Sequence, residues 1–272
     1  MMRTDNALRT VWLSDVHLGS RDCRINLLLD FLRQLECDTL YLVGDIIDLE
    51  SLRHSFYWPA SHTEALRLIL QKSQQGTRVV YIPGNHDHEL HTFAGVRFGN
   101  IEVARDAIHT TSTGRRLLVL HGDQFDAVVR SKSLGVLLGG FACRRLLELN
   151  RFVHWLHDLF GRPYWSLAQH VKARFPGASR YIERFMHATL VAAREAKVDG
   201  VVCGHIHKAD CREVDGLLYC NDGDWVESCS ALAETYSGEL TLLRWRSAAL
   251  GVYVSVTSAS WAQRPAAAAE AD

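Results

Sequence analysis

Five short apolar runs in this chain each end in a cluster of aspartate, histidine or asparagine, and that repeated juncture limits the possible folds more than any other feature. Thr10–Ser14 runs into Asp15 and His17, and Thr39–Val43 into Gly44-Asp45-Ile46-Ile47-Asp48. Arg78–Ile82, stopped by Pro83, leads to Gly84-Asn85-His86-Asp87. Arg116–Leu120 leads to His121-Gly122-Asp123, and Gly200–Cys203 to Gly204-His205-Ile206-His207. Open α/β sheets gather their functional groups at the carboxyl ends of strands, so these junctures predict one shared site.

The intervening pattern agrees. Apolar residues recur at helical spacing over Ile25–Leu35 and Glu64–Gln75, the latter ended by Gly76. The resulting β-α-β-α-β order predicts parallel strands joined by right-handed crossovers. Further strands are expected over Ile101–Val103, Ile108–Thr111, Ser230–Glu234 and Leu240–Trp245. Arg212–Val214 and Leu217–Tyr219 form a hairpin across Asp215-Gly216, a strong two-residue turn signal. Val252–Val256 reads as an edge strand, and the Ala-rich stretch 264–272 as disordered; no internal repeat is found.

At 272 residues and 47% apolar, the chain is long enough to bury a sizeable core and too apolar to be wholly disordered. No apolar run approaches the roughly 18–20 residues of a membrane-spanning helix. The first ten residues, MMRTDNALRT, lack a signal-peptide stretch. Seven cysteines, none in a C-x-x-C pair, fit a reduced, cytoplasmic protein. The net charge of −1 hides an asymmetry: residues 130–197 hold twelve Lys or Arg against four Asp or Glu, and the remainder is acidic. This basic segment, helical in pattern and broken at Gly139-Gly140, Gly161-Arg162-Pro163 and Pro176-Gly177, suits a local anionic partner as well as an ordinary solvated face.

An aspartate after a strand is ordinarily a cap, and a single histidine is ordinarily hydrogen-bonded structure. Five junctures that all supply Asp, Asn or His are poorly explained by caps. Carboxylate, amide and imidazole donors together suit Mn, Fe, Co or Zn, and seven donors suit two ions sharing a bridge. Asp48 reads either as a helix cap or as a residue orienting a ligand. His54, His62 and His109 show no partner pattern.

In order and spacing, Asp15-x-His17, Gly44-Asp45-x-x-Asp48, Gly84-Asn85-His86-Asp87, His121 and Gly204-His205-x-His207 resemble the motif set of the calcineurin-like metallophosphoesterases, over residues 11 to 207. The resemblance implies an α/β/β/α sandwich with a helical lid insertion and a dinuclear metal centre. Asp15, His17 and His207 would hold one ion and Asn85, His121 and His205 the other, with Asp45 bridging. His86 would face the scissile phosphate and Asp87 would orient it. Mn²⁺ is the expected metal, with Fe, Co and Zn as alternatives. Residues 1–129 and 198–246 would form the core, 130–197 the lid, and 247–272 an edge strand or tail.

Within that superfamily the chain is most similar to bacterial UDP-2,3-diacylglucosamine diphosphatases of the lipid A pathway. The Asp-Val-His-Leu-Gly opening, the His-Gly-Asp segment and the helical insert carry the likeness. The likeness implies a nucleotide-lipid substrate cleaved to UMP and a diacylglucosamine 1-phosphate, at the cytoplasmic face of the membrane. Leu138, Phe141, Leu149, Phe152, Val153, Leu156 and Phe160 recur near helical spacing in the insert, which suits acyl chains, a membrane surface, dimerisation or plain core packing. Asp123, Asp126, Lys132, Arg174, Arg180 and Arg184 are candidate substrate contacts. One departure stands out: those enzymes have Arg where this chain has His86, which replaces a fixed cation with a titratable one. The rival readings are a nuclease or other phosphodiesterase, disfavoured for nucleic acid by the acidic remainder; a protein phosphatase, disfavoured because a lid would crowd a flat protein substrate; and a non-catalytic scaffold, disfavoured by intact ligand positions.

Overall fold

The computed structural model describes residues 7–129, 176–246 and 254–258. Strands β1 (Leu8–Leu13), β2 (Cys37–Val43) and β3 (Arg78–Ile82) alternate with helices α1 (Ile25–Gln34), α2 (Leu49–His54) and α3 (Ala60–Gln74). Five shorter strands or helices follow: β4 (Arg97–Phe98), β5 (Ile101–Val103), β6 (Ala107–Thr110), β7 (Arg116–Val119) and α4 (Asp126–Val129). After α5 (Pro176–Glu195) come β8 (Gly200–Cys203), β9 (Asp210–Val214), β10 (Leu217–Asn221), β11 (Ser230–Glu234), β12 (Leu240–Arg244) and β13 (Val254–Ser258).

The strands form two mixed sheets. One has the order β13-β12-β11-β1-β2-β3-β5-β4, and the other β6-β7-β8-β10-β9. The run β1-β2-β3-β5 is parallel, as the alternating pattern predicts, with Val11 opposite Leu40 and Leu40 opposite Val79. Successive strand residues point to opposite faces, so each strand serves two cores. Val11, Leu13, Leu40, Leu42 and Val79 meet α1 and α3 through Leu28, Leu32 and Ala65. Between them on the same strands, Trp12, Tyr41, Val80 and Ile82 face Val119, Val202, Leu218 and Cys220 of the second sheet. Four layers result, helices outside and sheets inside: the expected α/β/β/α sandwich.

Residues 130–175, with Lys132 and Arg174, lie outside the described residues. Residues 176–197, read from sequence as the last part of the lid, form the fourth layer. Phe185, Met186, Leu190 and Ala193 of α5 are buried against Leu118, Val201, Cys203 and Tyr219 of the second sheet. The apolar spacing of α5 therefore serves core packing, and Arg180 and Arg184 stand exposed on its other side. The expected edge strand is present two residues later, as β13 beside β12. No helix among the described residues is long and apolar enough to cross a membrane.

At the amino ends of the parallel strands a buried carboxylate ties the sheets together. Glu234 accepts from Arg9 Nη1 at 2.6 Å, His109 Nε2 at 2.8 Å and the Ser112 amide at 2.7 Å, while Arg9 Nη2 reaches the Thr110 carbonyl at 2.9 Å. Burial alone would raise the Glu234 pKa, but the His109 bond, the Ser112 amide and Arg9 outweigh it and hold the pKa below the ordinary glutamate value. A lowered acid stabilises the fold above its unfolded pKa, and that contribution is lost as pH falls through the folded value. Glu234→Gln is therefore expected to cost roughly 2–3 kcal/mol at pH 7 and to lose that difference in acid, measured by urea unfolding from pH 7 to pH 3. Leu190→Ala is expected to cost about 2–5 kcal/mol by the same measurement, whereas a helix serving only as a lid would leave stability unchanged.

Candidate metal centre

All five chemical junctures arrive at one rim of the sandwich, because β1, β2, β3, β7 and β8 all end there. The loops turn sharply at the functional residues themselves. Asp15, His17, Asp45, His205 and His207 all have left-handed backbones, with φ of 51°, 55°, 55°, 70° and 52°. Each such non-glycine conformation costs of order 1–3 kcal/mol, which persists only where the surroundings over-determine it. The surroundings are tight here. A Cβ on Gly84 would sit 2.6 Å from His121 Cδ2 and would collide with the Asp45 carboxylate, so only glycine admits both side chains.

Four donor atoms in the centre are buried without a hydrogen-bond partner: Asp15 Oδ1, His17 Nε2, Asn85 Oδ1 and His121 Nε2. Leaving one such polar atom unpaired costs about 1–3 kcal/mol, so four together call for a ligand that accepts lone pairs. The tautomers agree. A carbonyl can only accept, so His121 Nδ1, 2.8 Å from the Val43 carbonyl, carries a proton and Nε2 is the ring atom left to meet a cation. His17 Nδ1 is likewise held by Asp48 Oδ2 at 3.2 Å, again leaving Nε2 as the donor atom.

Three of these residues, Asp15, His17 and His121, gather about Asp45. Its Oδ2 lies 3.9 Å from His17 Nε2 and 3.5 Å from His121 Nε2, and its Oδ1 accepts from the His86 amide at 2.8 Å. His207 Nε2 stands 3.1 Å from Asp15 Oδ1. Three overlapping groups, Asp15-His17-His207, Asp15-Asp45-His121 and His17-Asp45-His86, each bring ligand atoms within 4.8 Å of one another. The donor set fits divalent cations.

The charge balance fits as well. Burial raises the pKa values of Asp15 and Asp45, but the neighbouring histidines, His207 for Asp15 and His121 for Asp45, outweigh it and keep both carboxylates ionised. Burial opposes a charge on His121, yet Asp45 and Asp15 push its pKa up to about 10. The centre therefore attracts positive charge strongly, and a divalent ion taken up there would displace that proton.

Asp87 occupies a different place from the one expected. Its buried carboxylate accepts from the amides of Gly84 at 2.6 Å, Ile46 at 2.9 Å and Asp45 at 3.3 Å, and from the Tyr81 hydroxyl at 2.5 Å. These bonds staple the loop after β3 to the loop after β2, and none goes to the His86 ring. That ring is oriented by Asp48, whose Oδ1 is 3.0 Å from His86 Nδ1. Asp48 also caps α2 by accepting from the Ser51 amide at 2.8 Å, so both readings of this residue hold. Its pKa is lowered because hydrogen bonds from His17 and His86 outweigh burial.

Sequence reasoning missed the support behind Asp15. The Ser14 hydroxyl lies 2.5 Å from Asp15 Oδ2 and 2.6 Å from Asp222 Oδ1, the Trp225 amide donates to the Asp15 carbonyl at 3.0 Å, and Asn221 Nδ2 donates to the Gly204 carbonyl at 2.6 Å. The polar run Asn221-Asp222-Gly223-Asp224 after a buried strand was the available signal. Of the candidate substrate contacts, Asp126 bonds His205 Nε2 at 2.9 Å. Asp123 opens the short 3-10 turn after His121 and contributes to the raised His121 pKa.

Asp48→Asn separates the two duties of that residue. Asparagine caps a helix as well as aspartate but cannot accept from both histidines. Mn²⁺ affinity measured by calorimetry is expected to fall about 10–100-fold while the fold is retained.

The fold and the centre can be compared with known proteins. Yfce, a phosphoesterase from E. coli, aligns at 14% identity over 92% of this chain and 97% of its own, with a TM-score of 0.47. Wild-type Vps29 of Entamoeba histolytica, complexed with Zn²⁺, aligns at 15% over 87% and 91%, with a TM-score of 0.43. No curated protein sequence matches the chain. The model of the calcineurin-like phosphoesterase family matches residues 8–209, spanning every juncture described above, and the chain therefore belongs to that family of metal-dependent phosphoester hydrolases.

Proposed function

We propose that the chain hydrolyses the pyrophosphate of UDP-2,3-diacylglucosamine, releasing UMP and 2,3-diacylglucosamine 1-phosphate, with two divalent ions, Mn²⁺ foremost. The observation that carries the two-ion reading is the set of four buried, unpaired donor atoms, on Asp15, His17, Asn85 and His121, with three of these residues gathered about Asp45. Asp15, His17 and His207 would hold one ion, Asn85, His121 and His205 the other, and Asp45 both. Ions held there supply a lowered pKa for water and neutralise charge developing on phosphoryl oxygens.

The chain's own contribution centres on His86. With Nδ1 on Asp48, its Nε2 is free to face a phosphoryl or leaving oxygen. Burial opposes a charge on the ring, but the Asp48 bond and Asp45 outweigh it and raise its pKa above the ordinary histidine value, which favours a proton at Nε2 for donation. Asp87 keeps the loop of His86 against that of Asp45. The lipid substrate is supported by the likeness to the lipid A enzymes and by the basic, aromatic composition of residues 130–175. An amphiphile of this kind would be met at a membrane surface.

The test is UMP release from UDP-2,3-diacylglucosamine with Mn²⁺, beside a deacylated UDP-sugar and bis(p-nitrophenyl) phosphate. Acyl-dependent release is expected, abolished in His121→Ala and lowered about 10²–10⁴-fold in His86→Ala. An intact lipid substrate alongside cleavage of the simple diester would overturn the substrate and leave a phosphodiesterase, the reading that histidine at position 86 favours.

A further inference from the structure

His205 differs from the other histidines of the centre in how its ring is held. For His17 and His121 the Nδ1 atom is tied back and Nε2 is left unpaired. In His205 it is Nε2 that is engaged, 2.9 Å from Asp126 Oδ1. The same carboxylate oxygen accepts from the Tyr181 hydroxyl at 2.8 Å. A carboxylate has no proton to give, so the His205 proton sits on Nε2 and the lone pair on Nδ1. The ring is fixed from other sides too: Phe185 lies against its face, with centroids 5.9 Å apart and planes at 33°, and His121 meets it edge-on at 5.1 Å. Its amide donates to Asp15 Oδ2 at 2.9 Å, joining it to the opposite ligand set.

We propose that Asp126 and Tyr181 are positioning residues that fix the His205 tautomer and ring so that Nδ1 is the metal-binding atom, and that they thereby join both flanks of residues 130–175 to one ion of the centre. The inference rests on the two-ion reading above. Asp126 is the first residue of α4, immediately before that segment, and Tyr181 lies on α5, immediately after it. The two flanks are 55 residues apart in sequence, and they converge on a ligand supplied by a third element, the loop after β8. One oxygen accepting two hydrogen bonds makes them interdependent: withdrawing the Tyr181 hydroxyl leaves the Asp126 carboxylate less fixed, and with it the His205 ring.

The test is a Mn²⁺ titration of the full chain by calorimetry and electron paramagnetic resonance, with ¹⁵N spectra of the histidine rings in the metal-free protein. In the wild type, two ions and an Nε2-protonated His205 are expected. Asp126→Ala should weaken one ion about 10–100-fold, leave the other within a factor of about two, and lose the single tautomer. Asp126→Asn retains an acceptor oxygen and should recover most of the affinity. Tyr181→Phe, which removes one hydroxyl from a half-buried ring, should weaken the same ion by a few-fold, and it covers the case in which Asp126→Ala fails to fold.

Unchanged affinity for both ions in Tyr181→Phe, together with an unchanged His205 tautomer in that variant, would overturn the inference. So would a rise in substrate KM with metal binding intact, which would make Asp126 a substrate contact. Uptake of a single ion by the wild type would instead overturn the two-ion reading and remove the inference with it.

Discussion

The centre depends on one buried carboxylate that touches no proposed ligand side chain. Asp87 gathers amides from Gly84, Asp45 and Ile46 and the hydroxyl of Tyr81, and so locks the turn after β3 onto the turn after β2. Without that lock the Asp45 carboxylate and the His86 amide bonded to it would have no fixed relation, and the atoms around Asp45 could not share a bridging oxygen.

Around that lock the structure separates the tasks of holding ligands and aiming them. The strands of two sheets deliver the side chains, and residues behind them set which atom faces inward. Asp48 aims His17 and His86, the Val43 carbonyl aims His121, and Ser14 with Asp222 and Trp225 braces Asp15. Burial pushes the Asp222 pKa well above the usual carboxylate range, and the Asp15 charge adds to it, although the Ser14 bond opposes. A proton on Asp222 lets a single Ser14 hydroxyl lie between two carboxyl groups without repulsion. The ligands are thus carried by the parts of the sequence that also make the sheets, and their orientation by residues scattered from position 14 to 225.

This division explains what could be read in the sequence. The parallel core strands and α1 were legible because period-2 and period-3.6 patterns are local and strong. So was the meeting of Asp15, His17, Asp45, His121 and His207 at one rim, because each follows a strand closely. Helix α3 begins four residues before its apolar pattern, at Ala60, because buried His62 is polar and its role is to accept the Gly19 amide. The placement of α5 was illegible for another reason: an apolar stripe beside basic residues describes a lid and a core helix equally well, and only the partner face on β7, β8 and β10 decides. The resemblance assigned Asp87 to orienting His86, and its bonds to the backbone of another loop could not be read from sequence because they join residues some forty positions apart.

The left-handed turns at Asp15, His17, Asp45, His205 and His207 have a consequence for how such a chain can change over evolutionary time. Glycine would relieve the backbone at every one of these positions, and asparagine would ease it at several. Mutation therefore offers a steady supply of more stable descendants that have given up a ligand. Stability and the proposed metal-holding side chains therefore pull in opposite directions at this rim, and a copy freed from the need to hold an ion would gain robustness by losing them.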